Sequence, residues 1–259
     1  MPSPPRSLYG KPVLLDRERH RRLRLRTGQG FGFAAGLNAL YITGAEFGEA
    51  CKEYPLVFVR TPEGGVEPVA MLGLREGDNL FVDAQGRWGG RYVPAFVRRY
   101  PFVLAQLPGQ SQLGVCVDEA AQATGQQPGE ALFDAQGEPT PYLKQAIGFL
   151  EQFQREHQRT RAFCQHLQEA DLLRPMNARA DLPDGRAFTV DGLLVVDEKK
   201  LLALPDAQVL ALFRGGELHL LSMHLLSLSN LKALTQRMAG QAVAAASTSS
   251  VSAAAPSIQ

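Results

Sequence analysis

The sequence predicts an α+β protein with a largely antiparallel sheet, and three observations predict it. Short strand-like runs cluster between residues 56 and 117, joined by tight turns bearing Gly or Pro. One long run, 140–173, keeps helical spacing of Leu143, Ala146, Ile147, Leu150, Phe153, Thr160, Phe163 and Leu167, with Lys, Gln, Glu, Arg and His on its other face. Beyond it the order is helix-strand-helix, which lacks the regular β-α alternation of a parallel fold.

Composition bounds the class. Of 259 residues, 45% are hydrophobic and 20% charged, the balance of a globular chain with a substantial core. That length lies between one large domain and two ordinary ones of roughly 150 residues. Lys plus Arg number 27 and Asp plus Glu 26, so net charge gives no argument for a nucleic-acid partner. No apolar run approaches the ~20 residues that a membrane span needs. The opening Met1-Pro2-Ser3-Pro4-Pro5-Arg6 is followed by charge, so no secretory signal peptide is expected. Cys51, Cys116 and Cys164 are odd in number and widely spaced. They suit reduced, packed thiols in a cytoplasmic protein better than disulfides or a zinc site.

In chain order, residues 1–12 carry four prolines and read as a disordered lead-in. Strict alternation over 22–26 puts Leu23 and Leu25 on one face and Arg22, Arg24 and Arg26 on the other. This predicts a half-buried strand whose arginines discourage edge pairing; a patch for phosphate or acidic lipid is the alternative. Gly28-Gln29-Gly30-Phe31-Gly32-Phe33 lacks the last glycine of a dinucleotide loop and reads as a strand with close backbone approach. Thr43 or Gly44 caps a short helix over 45–54, and Pro55 closes it. Strands follow at 56–60, 66–74 and 79–82. Asp83-Ala84-Gln85-Gly86 and Asp134-Ala135-Gln136-Gly137 are matching type I turns, with Asp first and Gly last.

A short helix is expected over 92–99, strands over 102–107 and 112–117, and a flexible loop over 121–130. Thr140 caps the long helix and Pro141 occupies its first position. Residues 174–187 read as a polar linker. A strand over 188–196 bends at Asp191-Gly192, and Asp197 caps a helical turn reaching Leu204. Asp206 to Gly215 frames a further helix, 217–223 a strand, and 225–238 a last amphipathic helix. The organisation expected is a main α+β domain over 13–173, a C-terminal subdomain over 188–238 packed on it, and a disordered Ala/Ser-rich tail over 240–259.

Few residues carry a chemical signature. No Gly-x-Ser-x-Gly elbow is present, and no zinc pattern surrounds His219 or His224, so neither a metal nor a cofactor is called for. His224 is a hydrogen-bonding histidine at a helix start or, alternatively, a base. Asp118-Glu119 and Asp197-Glu198 each follow a strand; helix or turn capping accounts for them, with a role in a polar site as the alternative. If strand ends converge, Glu46, Trp88, Tyr92, Arg98, Arg99, Asp118, Glu119 and His224 form the candidate ligand or partner site. The aromatics would give an amphipathic wall and arginine would pair an anionic ligand. No catalytic residue is assigned.

An ordered series of phrases resembles the SapC family of bacterial proteins. It begins with Glu46-Phe47, Glu53-Tyr54-Pro55-Leu56-Val57-Phe58, Leu72-Gly73-Leu74 and Asn79-Leu80-Phe81-Val82. It continues through Trp88, Tyr92-Val93-Pro94-Ala95, Arg98-Arg99-Tyr100-Pro101-Phe102, Val117-Asp118-Glu119 and Leu132-Phe133-Asp134. Gly137-Glu138-Pro139-Thr140, Val196-Asp197-Glu198 and His224-Leu225-Leu226-Ser227-Leu228 complete it, spanning roughly 8–238. The resemblance implies an association with a bacterial surface layer and carries over no catalytic residues. The reading is a non-catalytic binding or accessory protein, taking a protein partner or a small anionic ligand, with oligomeric state open. The alternatives are an enzyme or enzyme partner acting on a small or peptide-like substrate, and a surface-layer-associated protein exported without a cleaved signal.

Overall fold

The computed structural model describes residues 8–26, 28, 30–106, 112–123, 129–181 and 185–252. In chain order the elements begin with β1 (Pro12–Leu14), β2 (Arg24–Arg26), β3 (Ala39–Tyr41), α1 (Phe47–Ala50), β4 (Leu56–Arg60) and β5 (Val66–Met71). Then come α2 (Ala95–Arg98), β6 (Phe102–Gln106), β7 (Leu113–Asp118), β8 (Gly129–Ala131) and α3 (Pro141–Glu169). The last are β9 (Leu173–Asp181), β10 (Ala187–Val196), α4 (Glu198–Leu202), α5 (Asp206–Arg214), α6 (Glu217–Ser227) and α7 (Asn230–Ser252). Every strand pair among the described residues is antiparallel, and helices and strands are segregated, so the fold is α+β.

Two compact units form, each from several segments. The first takes the described residues of Met1–Ala35, Ile42–Glu46 and Phe81–Ala162. The second takes Gly36–Tyr41, Phe47–Leu80 and the described residues of Phe163–Gln259. Of helix α3, residues 141–162 fall in the first unit and 163–169 in the second.

The first unit holds a three-stranded sheet, β1-β7-β6, and the β2-β8 pair. Alternation in β2 holds: Leu23 and Leu25 are buried while Arg22 and Arg24 are exposed. Those leucines join Phe102, Val117, Leu132, Phe133, Leu143 and Leu150 in one core cluster. The arginines, however, do not guard an open edge. On one side β2 pairs with β8; on the other, Leu25 bridges Gln122 and Arg24 O accepts the Ala123 N–H at 2.8 Å.

Both Asp-x-Gln-Gly turns form, Gly86 N–H donating to Asp83 O at 2.9 Å and Gly137 N–H to Asp134 O at 3.0 Å. The glycine-rich stretch is a 3-10 turn, Gly32–Ala34, not a strand. Close backbone approach does occur there: Phe31 N–H donates to Gly86 O at 2.6 Å, and a Cβ on Gly30 would lie 2.7 Å from that oxygen. Residues 79–82 make no strand; Val82 forms one bridge with Trp88. The lead-in is ordered from residue 8, where Gly10 and Lys11 N–H groups donate to Asp118; its residues 1–7 lie outside the described ones. Of the expected loop over 121–130, residues 124–128 lie outside them and Gly129 begins β8.

The second unit is built on a five-stranded sheet ordered β3-β5-β4-β10-β9. Its core sets Phe47 and Phe58 against Phe163, with ring centroids 6.4 and 6.3 Å apart. The bend at Asp191-Gly192 is a register shift between Val190 and Leu193, with Gly192 at φ 77°. Residues 174–181 are β9, not a linker. The strand is at the sheet edge, where Pro175 is tolerated; Met176, Ala178 and Ala180 alternate with Asn177, Arg179 and Asp181, but only the two alanines are buried, so the apolar signal is weak.

Residues 217–223, expected as a strand, begin α6, so the C-terminal region is helical after β10. Gly216 at φ 76° reverses the chain, and Leu221, His224 and Ser227 then bury one face at helical spacing. The Ala/Ser-rich tail continues α7 through Ser252, since alanine is the strongest helix former; 253–259 lie outside the described residues. All three cysteines are free and buried.

Candidate functional site

Glu46 is the centre of the polar cluster in the first unit. A 3-10 turn, Gly44–Glu46, folds its side chain back so that Oε2 accepts the Thr43 N–H at 2.9 Å and the Thr43 hydroxyl at 2.8 Å. Oε1 accepts the Tyr92 hydroxyl at 2.8 Å and the Ala95 N–H at 2.6 Å, the latter a free donor at the start of α2. Four donors on two oxygens in a buried carboxylate leave little capacity for a ligand. Thr160 steadies the same turn: its Oγ1 accepts the Gly44 N–H at 2.8 Å and donates to Glu156 O at 2.7 Å.

Tyr92 and Arg98 extend the cluster. Burial first, then the Glu46 charge, holds the Tyr92 phenol well above the usual tyrosine range. Arg98 donates from Nε to Val93 O at 2.9 Å and from Nη2 to the Tyr92 hydroxyl at 3.3 Å, with its guanidinium 5.1 Å from the Phe149 ring centroid. Trp88 donates its indole N–H to Tyr92 O at 3.1 Å and packs edge-on against Phe31 at 5.7 Å. The loop that carries it is therefore packed by aromatics. Arg99 faces other rings, 4.0 Å from Phe96 and 4.9 Å from Phe153.

Asp118 and Glu119 do different work. Asp118 has no exposed surface; it caps the 3-10 turn Glu119–Ala121 through the Ala120 N–H and ties down Gly10 and Lys11. The Tyr100 phenol is pushed up to about 12 by burial and by the Asp118 charge and hydrogen bond. Glu119 meets Lys11 at 2.7 Å and Arg19 at 2.8 Å, and the Lys11 hydrogen bond leads in holding its carboxyl below the usual range.

His224 belongs to the second unit. Its Nε2 accepts the Val196 N–H at 3.1 Å, its ring lies 5.0 Å from Phe58, and burial lowers its pKa to about 4. It is a neutral core histidine. Ser227 beside it accepts the Leu56 N–H at 3.0 Å and donates to His224 O at 2.6 Å. Among the described residues no group of three His, Cys, Asp or Glu side chains is placed to hold a metal ion, and no helix is long and apolar enough to cross a membrane.

Of the eight residues singled out in the sequence, Glu46, Tyr92, Arg98 and Trp88 are thus linked by hydrogen bonds. Arg99, Asp118, Glu119 and His224 have separate partners. The sequence reading missed an uncovered apolar surface in the second unit. Helix α5 buries no residue, and Phe213 is 68% and Leu210 45% exposed. With Val209, Leu218 and Asp206 they line a depression of about 420 Å³, and Leu226 further along α6 is 65% exposed. A second groove of about 450 Å³ runs between α5 and the end of α3, lined by Leu204, Ala211, Leu212, His166, Glu169 and Glu217 among others.

Comparison with known proteins places this chain in a family. The family model described as SapC matches residues 15–234. No curated protein and no solved structure matches the chain.

Proposed function

We propose that this chain, which belongs to the SapC family, is a non-catalytic binding or accessory protein that docks a protein partner on α5 and α6. The observation carrying this reading is the exposure of Phe213, Leu210 and Leu226 on helices of which one buries nothing. A contiguous apolar surface left uncovered on a folded chain costs solubility and marks an interaction site. The polar candidates support the non-catalytic half: Glu46 is saturated, His224 is buried and neutral, and burial pushes the Cys164 thiol up to about 12.

The chemistry of the occupant follows from the rims. The two depressions are lined by Glu169, Glu217 and Asp206 and by no Lys or Arg. A partner segment with apolar anchors flanked by Lys or Arg complements them, as an amphipathic helix does. A labelled Leu/Lys amphipathic peptide titrated against the full chain tests this by fluorescence anisotropy. It is expected to bind about tenfold tighter than a Leu/Glu peptide of the same apolar pattern, and Phe213→Ser to weaken it by at least about tenfold, a loss of ~1.4 kcal/mol. Equal binding by the Ser variant overturns the reading. So does a concentration-dependent dimer abolished by the same substitution, which would make a second copy the occupant.

A further inference from the structure

A different surface, in the first unit, carries a ligand inference of its own. Arg21, Arg22 and Arg24 line a groove of about 580 Å³ together with Ala131, Phe133, Asp134 and Ala135. From these residues we infer that the groove takes the dianionic phosphoryl group of an organic phosphate monoester.

The arginines are held by the backbone rather than spent on carboxylates. Arg21 Nη2 donates to Ala135 O at 2.7 Å, and Arg24 Nε and Nη2 donate to Gly129 O at 3.1 and 2.7 Å. A neutral carbonyl fixes each guanidinium without cancelling its charge, and most of the five donors on each remain for a ligand. Arg22 makes no hydrogen bond or ion pair among the described residues and is exposed. Asp134 is the one carboxylate in the lining, and its Oδ1 already accepts the Gln136 and Glu138 N–H groups at 3.0 and 2.8 Å.

Three cations against one anion suit a doubly charged ligand better than a monocarboxylate. Fork-shaped donors match phosphate oxygens in pairs. Phe133, with Ala131 and Ala135, gives an apolar floor for the organic part. The usual explanation of an arginine-bearing strand, protection of an open edge, does not apply, because β2 has neighbours on both sides.

The phosphoryl group has two possible sources, a free ester or a lipid headgroup, and two arms separate them. Phenyl phosphate is titrated into the full chain by calorimetry, with benzoate as the monoanionic comparison. Co-sedimentation is run with phosphatidylcholine vesicles with and without phosphatidic acid. The expected result is binding in at least one arm, at least about tenfold weaker for benzoate, and weakened about tenfold by Arg22→Gln, which breaks no described contact. A free ester gives the titration alone; a headgroup adds the vesicle arm, dependent on phosphatidic acid. No binding in either arm, equal binding of benzoate, or an unchanged affinity in both Arg22→Gln and Arg21→Gln overturns the inference.

Discussion

Replacing Glu46 with Ala is expected to destabilise the first unit by about 4 kcal/mol, because it orphans several buried donors at once. The Thr43 N–H and hydroxyl, the Tyr92 hydroxyl and the Ala95 N–H all end on this carboxylate. Each buried donor left without an acceptor costs about 1–3 kcal/mol, and some of that is recovered by relaxation and by water. Tyr92→Phe removes only one donor and should cost about 1 kcal/mol. Urea unfolding followed by the fluorescence of Trp88, the single tryptophan, reports on the site directly, since its indole is bonded to Tyr92. A loss below about 1 kcal/mol for Glu46→Ala would mean that the carboxylate is not committed to the fold, and would reopen a ligand role for it.

Acid should weaken the second unit through His224. Its pKa is about 4 in the fold, because burial disfavours the imidazolium and Nε2 is occupied as an acceptor for Val196. Unfolded, it titrates near about 6.5. Between those values the unfolded chain binds a proton that the folded chain does not, so stability is full above about 6.5 and falls as pH drops toward 4. The loss approaches roughly 3 kcal/mol over that window. His157, in the first unit, is lowered by burial and then by Arg161 and Arg99, and adds a slope of the same sign. The His224 share is therefore the difference between wild type and His224→Gln, which keeps an acceptor for Val196. Denaturation at a series of pH values, read by circular dichroism because Trp88 lies in the other unit, should show a shallower dependence in the variant. Superimposable profiles would contradict the assignment.

What the sequence made legible was local and periodic. Leu23 and Leu25 alternate into the core, Asp197 caps α4 through the Lys199 and Lys200 N–H groups, and Gly192 marks its bulge. The failures share a cause as well. Strand β9 buries only alanines, a weak apolar signal, and 217–223 is apolar at too many positions for a period to be read. The tail is alanine-rich, a composition that suits a helix as well as a coil.

The candidate site divides the same way. Asp118 acts as the cap that its place after a strand implied. The pairing of Glu46 with Tyr92 and Ala95 spans 46 and 49 residues of sequence, and no local pattern encodes it. Helix α5 was visible as an element with Asp206 and Gly215 at its ends, but periodicity says that a face is apolar, not that it is left uncovered. Only the packing of α5, none of whose residues is buried, shows that.

The central claim is that the working surface lies on α5 and α6, while the Glu46 cluster serves the fold. Amide hydrogen exchange on the full chain, with and without the Leu/Lys peptide, tests it most directly. The predicted result is added protection along Asp206–Arg214 and Glu217–Ser227, with Glu46 and residues 92–98 unchanged. Protection concentrated at 92–98, with α5 exchanging as before, would contradict it.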